Sequence, residues 1–231
     1  MIQGLTEGTL QTFVFLWSPA LLAFSKSAVP NALGLDMNGV PAYGLIFGGF
    51  MMCGVIGGFL EPTIRKLVSH CTGINDSVRK DGNEEDNVNP TAVSFLCSLC
   101  YIASAVLLLT PCVVEKESPY AFTMCFSAFL MYELMVGLYM PCEGVIRAVH
   151  MPNSSVCSIM TMLRVIVNVA VALGVISTNY VSVNGAFYGL SVMMASAALL
   201  QISLIPQNHL LEIVNKISGR SENVDTGKKT Q

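Results

Sequence analysis

The sequence predicts an all-α integral membrane protein with six transmembrane helices. Charged residues make up only 12% of the 231 residues, and the mean hydropathy is +0.61. Six long apolar stretches recur along the chain. Each has about the 20 residues that an α-helix needs to cross a hydrocarbon core of roughly 30 Å. Soluble globular domains carry about 25% charged residues, so the composition excludes that class.

The predicted spans are joined by short connections, with one exception. They cover residues 2–24, 41–60, 91–114, 120–146, 155–178 and 184–206. Residues 61–90 form a long loop on the cytoplasmic side, and its second half is polar and of mixed charge, which is typical of a segment without a packed core. Residues 207–231 form a cytoplasmic tail, which we expect to begin as an interfacial helix. Residues 1–206 therefore make one six-helix transmembrane bundle, and we expect no soluble domain.

The basic residues predict the orientation of the chain. Nine Lys and Arg residues lie after span two, after span four or in the tail, whereas the opposite loops hold only Lys26 and Lys116. By the positive-inside rule, both termini lie in the cytoplasm. The first apolar stretch has no basic flank and is too long for a signal peptide, so we expect no cleavage. Met1 opens almost directly into span one, and we expect the chain to be a fragment that begins within a helix of a longer protein.

Spans one and two carry signals for shape and packing. Pro19 lies inside span one, and we expect it to kink or end the helix near Trp17. Span two contains two glycine pairs with GxxxG spacing, Gly44–Gly48 and Gly54–Gly58. Small residues four apart let helix backbones approach closely in lipid. We therefore expect span two to pack on two faces and to lie inside the bundle rather than at its rim.

Four ionisable side chains lie deep within the predicted spans. A charged group at such a depth costs at least about 2.5–3.5 kcal/mol on insertion scales, so each needs a partner or a role. The four are Glu7, Glu133, Glu143 and Arg164. Glu133 lies near the middle of span four. Glu143 lies near its end with Arg147 four residues on, a spacing that favours a helical ion pair, so we expect Glu143 to anchor that end.

Two polar faces are candidates for a site. In span one, Gln3, Glu7 and Gln11 follow one another at i, i+4 and i+8, so they form one polar stripe. In span five, Arg164 and Asn168 share a face for the same reason. Such faces avoid lipid and are expected to meet another helix or a water-filled cavity.

Two interpretations of these residues stay open. In the first, Arg164 forms a structural bridge to a deep acid, either Glu7 or Glu133. In the second, the guanidinium presents its planar donors to an oxyanion, and Glu7 or Glu133 acts as a proton carrier or a charge gate. The candidate substrate-binding residues are Arg164, Asn168, Glu133, Glu7 and Gln11.

Other chemistry is not indicated by the sequence. It contains no P-loop, no dinucleotide-binding glycine fingerprint, no HExxH and no nucleophile elbow. The three histidines lack the spacing of metal ligands, and the CxxC pair Cys97 and Cys100 lies on a predicted membrane helix, where we expect two small packing residues. We therefore predict a protein that is not an enzyme, without metal or cofactor and without a nucleic-acid partner.

Four stretches carry a resemblance to a known family. They are GLTEGTLQTFVFLWSPAL (Gly4–Leu21), YGLIFGGFMMCGVIGG (Tyr43–Gly58), YELMVGLYMPCEGVIR (Tyr132–Arg147) and SIMTMLRVIVN (Ser158–Asn168). With them, the chain resembles the C-terminal half of the molybdate-anion transporter family, a branch of the major facilitator superfamily. Glu7 matches the acid of the family's helix seven, Glu133 the acid before GLYMP, and Arg164 the arginine of helix eleven.

The resemblance implies a fold and a function. The fold is one six-helix half of a twelve-helix carrier, with substrate held near the midplane between the halves. The function is transport of molybdate or a related oxyanion by alternating access. The implied partners are the lipid bilayer, a small molybdate-like anion and a second six-helix half, and the expected location is the plasma membrane. Two alternatives stay open: a general major facilitator carrier of sugars or organic solutes, and a truncated membrane scaffold that does not transport.

Overall fold

The structure is a computed structural model, and it describes residues 2–29, 32–72, 77–78, 87–88, 90–150, 156–177 and 181–205. These residues form six α-helices: α1 (Ile2–Ser25), α2 (Tyr43–Thr72), α3 (Pro90–Val113), α4 (Ala121–His150), α5 (Val156–Ser177) and α6 (Val183–Ser203). Two short strands, β1 (Ser77–Val78) and β2 (Asn87–Val88), pair antiparallel between α2 and α3. The tail, with its predicted interfacial helix, lies outside the described residues.

Five of the described helices are long and apolar enough to cross a membrane, namely α1, α2, α3, α4 and α6. The prediction of a helical multi-pass membrane protein is confirmed at this level. Helix α5 has 22 residues, but the apolar part found among its described residues, Cys157–Val169, is shorter than a full span. A sixth span therefore stays a prediction.

Helix α2 is longer than its predicted span. It continues past Leu60 to Thr72 and has 30 residues, which at about 1.5 Å per residue exceeds a hydrocarbon core of roughly 30 Å. The first part of the predicted loop 61–90 is therefore helical. The reason lies in packing: Glu61 and Ser69 are buried, so this polar continuation of the helix still has an inner face against the bundle.

Helix α1 does not end at its proline. We expected Pro19 to kink or end the helix near Trp17; it does not end it, because α1 runs on to Ser25, and the kink stays a prediction. Trp17, Leu21 and Phe24 are all buried in the core. This tertiary packing holds the last turns of the helix and outweighs the backbone hydrogen bond that proline removes.

The contacts between α3 and α6 show that these two helices run in opposite directions. Near the middle of both helices, the Ser191 hydroxyl donates to the Ala105 carbonyl at 2.7 Å. Further along α3, the Cys112 thiol donates to the Asn184 carbonyl near the start of α6, at 3.1 Å. As the residue number rises on one helix it falls on the other, so the pair is antiparallel, as alternating membrane spans require.

An aromatic cluster around Phe13 forms the centre of the core. Its ring centroid lies 6.0 Å from that of Phe50 on α2 and 5.1 Å and 4.8 Å from those of Phe129 and Tyr132 on α4. It lies 6.4 Å from the ring of Phe187 on α6. All five side chains are at most 1% exposed. One side chain of α1 thereby joins four helices through edge and tilted ring contacts.

Helices α2 and α4 cross at three glycines. A Cβ atom placed on Gly57 would lie 3.0 Å from the Cα of Gly137 and closer still to the Leu134 carbonyl oxygen. A Cβ atom on Gly137 would overlap the carbonyl oxygen of Gly54. Only residues without a side chain allow this approach. The predicted close packing of span two is therefore present at its second glycine pair.

The first glycine pair of span two does not pack, and span two does not lie where we expected it. A Cβ atom on Gly44 or Gly48 would meet no atom within 4 Å, so these glycines make no helix contact among the described residues. Large side chains of α2 are exposed, among them Leu45 at 68%, Met52 at 63% and Phe59 at 82%. The prediction that span two lies inside the bundle is wrong: only one of its faces packs, and α2 lies at the rim.

Candidate functional site

The polar stripe of α1 is held together by its own side chains. The Gln3 amide Nε2 donates to the Glu7 Oε1 at 2.7 Å, four residues apart on the helix. Gln11 lies one turn further on, and all three residues are half-buried. The amide supplies a donor to the carboxyl group and lowers the cost of keeping it at membrane depth. The stripe forms a polar flank of α1 that is neither fully packed nor fully exposed.

Helix α5 packs beside α1 through an apolar strip. Val167 and Val171 are buried, and a Cβ atom on Gly4 of α1 would lie 3.8 Å from Val167 Cγ2. Arg164 and Asn168, by contrast, are both exposed. The fold therefore puts the two predicted polar faces on neighbouring helices, and the polar face of α5 points away from the bundle interior.

Arg164 is unpaired in the part of the chain that the structure describes. It forms no ion pair and no hydrogen bond there, and the ion pair of these residues joins Arg65 to Glu61 instead. The structural bridge from Arg164 to Glu7 or Glu133 is therefore not formed between described residues. A guanidinium has five N–H donors in a planar fork. At Arg164 these donors are available to a ligand.

A groove lies on α5 next to this arginine. Its volume is about 370 Å³, which is room for roughly a dozen water molecules at about 30 Å³ each. It is lined by Cys157, Ser158, Thr161, Met162 and Val165. Thr161 lies one turn before Arg164, and its hydroxyl donates to the Cys157 carbonyl at 2.8 Å. All five lining residues lie on one helix, so this is a shallow concavity on the surface of α5 and not an enclosed site.

Glu133 lies apart from the other candidate residues. Its side chain is 5% exposed, and its carbonyl oxygen is 3.9 Å from a Cβ atom placed on Gly54, at the crossing of α2 and α4. No hydrogen bond or ion pair joins its carboxyl group to another described residue. Titratable groups within electrostatic reach include Cys53 on α2 and Tyr132 and Tyr139 on α4. Glu133 is thus a buried acid without a partner among these residues.

Glu143 has different partners from the one expected. It makes no ion pair with Arg147 among the described residues. Instead, its Oε1 accepts a hydrogen bond from the Thr6 hydroxyl and another from the Tyr101 hydroxyl, each at 2.8 Å. Glu143 does anchor the end of α4, but to α1 and α3. No sequence signal pointed to Thr6, which lies off the polar stripe, or to Tyr101, which lies in a span without charges.

Glu61, at the rim of the bundle, is also satisfied. Its Oε1 accepts from the Arg65 Nε at 2.9 Å and from the Cys142 thiol at 3.3 Å. The acids that the structure buries among the described residues are therefore Glu61, Glu133 and Glu143, and only Glu133 has no donor. This contrast sets Glu133 apart from the other two buried acids.

Metal chemistry has no site in the described ranges. No group of three or more His, Cys, Asp or Glu side chains there is arranged to hold a metal ion. Cys97 and Cys100 are both buried in α3 as free thiols. Buried thiols in apolar surroundings behave as small packing residues.

Two curated proteins are similar to the chain. A molybdate-anion transporter of Takifugu rubripes is 25% identical over 214 residues, which are 88% of this chain and 37% of that protein. A molybdate-anion transporter of Xenopus tropicalis is 26% identical over 175 residues, 76% of this chain and 31% of that protein. The chain spans about a third of the length of the curated relatives it matches. Together with the membrane helices, they support a transporter role.

Two further comparisons gave no match. No protein-family model matches the chain. No solved structure matches it either.

Proposed function

We propose that the chain is part of a carrier that moves molybdate or a related oxyanion across a membrane. The observation that carries the proposal is the unpaired, exposed Arg164 on a largely apolar helix. A charge facing lipid costs at least about 2.5–3.5 kcal/mol, so this face of α5 is expected to line a water-filled path instead. The planar guanidinium group can donate two parallel hydrogen bonds to two oxygens of an oxyanion. The printed names of the two relatives agree with this substrate class.

The other candidate residues take roles that fit their surroundings. Asn168 lies one turn from Arg164 on the exposed face and offers amide donors to the same anion. Gln11, on the neighbouring helix, offers a second amide. Glu7 accepts from Gln3 and serves as a charge gate at the edge of the path. Glu133, which is buried and lacks a donor among the described residues, is the proton carrier.

The proposed carrier is larger than this chain. We infer that α5 is a sixth span and that the six helices form the C-terminal half of a twelve-helix major facilitator fold. The share of the relatives that the chain covers, 37% and 31%, fits a half rather than a whole carrier. A second six-helix half would then close the path along α1 and α5, and alternating access would follow from rocking the halves about the site. We further propose that the carrier lies in the plasma membrane and that both termini of this chain face the cytoplasm.

The test is uptake of labelled molybdate in cells that lack their own molybdate transporter. Arg164→Lys keeps the charge and loses the fork, so uptake per protein in the membrane is expected to fall about tenfold, the effect of 1.4 kcal/mol. Arg147→Lys is the matched control, because Arg147 is a half-buried arginine on α4 away from the α5 face. Normal uptake by Arg164→Lys at normal abundance contradicts the proposal, and so does an equal loss of uptake and protein.

Competition and length separate the alternatives. Excess tungstate or sulfate is expected to block uptake, whereas block by a neutral sugar would favour the general facilitator. The 231-residue chain is compared with a form of it that is extended by a second six-helix half. Uptake by the longer form alone supports the half-carrier proposal, and uptake by the short form means that two copies assemble a path. If neither form takes up molybdate although both are present in the membrane, the non-transporting scaffold is favoured.

A further inference from the structure

One carboxylate oxygen joins three helices in the interior of the bundle. Glu143 Oε1 on α4 accepts from the Thr6 hydroxyl on α1 and the Tyr101 hydroxyl on α3, each at 2.8 Å. The three residues are 8%, 1% and 0% exposed. Between described residues, no other side-chain hydrogen bond joins α1 to another helix, because its remaining ones stay within α1. Among these residues, this contact is therefore the polar link between α1 and the other helices.

Together with the buried face around Phe13, the link constrains the rotation of α1 about its own axis. Successive residues of an α-helix point about 100° apart. When Thr6 points inward to Glu143, the next residue, Glu7, points to the flank of α1, where the half-buried stripe with Gln3 and Gln11 lies. A rotation of α1 that broke the Thr6 contact would carry this stripe away from its present flank.

We propose that Glu143 is a positioning residue for the anion site: by holding Thr6, it keeps the stripe of Glu7 and Gln11 oriented toward the transport path. The inference rests on the proposed function. Tyr101 acts in support, since its hydrogen bond to the same oxygen holds the carboxyl group in place from α3.

Threonine variants test the link directly. Thr6→Val removes the donor and keeps the shape, and Thr6→Ser keeps the donor. Thr9→Val is the matched control: Thr9 is also on α1 and 0% exposed, but its hydroxyl donates at 2.7 Å to Leu5 within the same helix. In the form of the protein that takes up molybdate, Thr6→Val is expected to raise the KM of uptake about tenfold. Thr6→Ser and Thr9→Val are expected to keep the wild-type KM.

A second readout does not depend on transport. A cysteine introduced by Gln11→Cys is labelled with a maleimide, and the labelled peptide is quantified by mass spectrometry. Thr6→Val is expected to shift the labelling rate at position 11, whereas Thr6→Ser and Thr9→Val leave it unchanged. If the wild-type protein does not transport molybdate, the proposed function fails while this arm still tests the link.

Two results overturn the inference. The first is an unchanged labelling rate at position 11 in Thr6→Val. The second is a Thr6→Val protein whose uptake falls only with its abundance while KM stays at the wild-type value, because that pattern belongs to a purely structural contact. A raised KM in Thr6→Val that returns to the wild-type value in Thr6→Ser supports it.

Discussion

The crossing of α2 and α4 predicts a large effect from one methyl group. In Gly137→Ala, the new Cβ would overlap the carbonyl oxygen of Gly54 and lie 2.9 Å from its carbonyl carbon and 3.1 Å from its Cα. Carbon atoms at optimal separation are about 3.5–4.0 Å apart. All the atoms in the way belong to the backbone, so no side chain can rotate to make room. The carbonyl oxygen is the closest of these atoms, so the two helices must move apart by more than about 1 Å.

The magnitude follows from two opposing terms. Overpacking in a close-packed interior costs about 1–3 kcal/mol, and the backbone overlap at Gly137 puts this substitution in the upper part of that range. Alanine regains about 0.8–1 kcal/mol of helix propensity over glycine. The net destabilisation is therefore about 1–2 kcal/mol. At about 2–4 °C per kcal/mol for a chain of this size, the melting temperature should fall by roughly 2–8 °C.

The assay is thermal unfolding of the purified protein in detergent, followed by intrinsic fluorescence. Gly48→Ala is the matched control, because a Cβ atom on Gly48 of α2 would meet no atom within 4 Å. That variant gains helix propensity without overlap, so its melting temperature is expected to stay level or rise. A Gly137→Ala protein that melts at or above the temperature of Gly48→Ala refutes the close crossing.

Three further predictions concern the core, the α3–α6 contact and the proton carrier. Phe13→Ala removes the ring at the centre of the aromatic cluster and should destabilise the protein in the same unfolding assay by about 3–5 kcal/mol. Ser191→Ala removes the buried bond to Ala105 and should cost about 0.5–1.5 kcal/mol there. Ser196→Ala should cost less, because Ser196 is half-buried and its hydroxyl donates only within its own helix, to the Val192 carbonyl. Glu133→Gln should flatten the pH dependence of uptake measured from pH 5 to 8; an unchanged pH profile removes the proton role.

The positions of the helices could be predicted from the sequence because hydropathy and length are local properties. The ends could not always be predicted. Helix α2 was predicted to end at Leu60 because charged residues follow, yet it continues to Thr72 with Glu61 turned inward to accept from Arg65. The expected end of α1 at Pro19 was wrong for a related reason, since buried neighbours hold the helix beyond the proline. Tertiary packing decides such ends, and no local pattern encodes it.

The contacts of the candidate site could also be predicted only in part. The stripe of Gln3 and Glu7 follows from helical periodicity. The same spacing of four residues brings the two side chains within hydrogen-bond distance. The partners of Glu143 were not readable, because Thr6 lies 137 residues away in the chain. A spacing of four favoured Arg147, but the interior offered two hydroxyl donors in better positions. Sequence spacing identifies partners within a helix, whereas partners between helices depend on rotation and depth.

A sequence identifies the acids within membrane spans, but only packing distinguishes those that are satisfied. Glu61 and Glu143 have donors, so their burial is explained by structure alone. Among the described residues, Glu133 has no hydrogen-bond donor and Arg164 has no acceptor. The two lie on different helices and do not pair with each other. On the proposed function, the transported anion compensates Arg164, and a proton compensates Glu133. One guanidinium neutralises half the charge of a divalent oxyanion, and a proton taken up at Glu133 removes one further negative charge from the membrane interior, which lowers the cost of crossing.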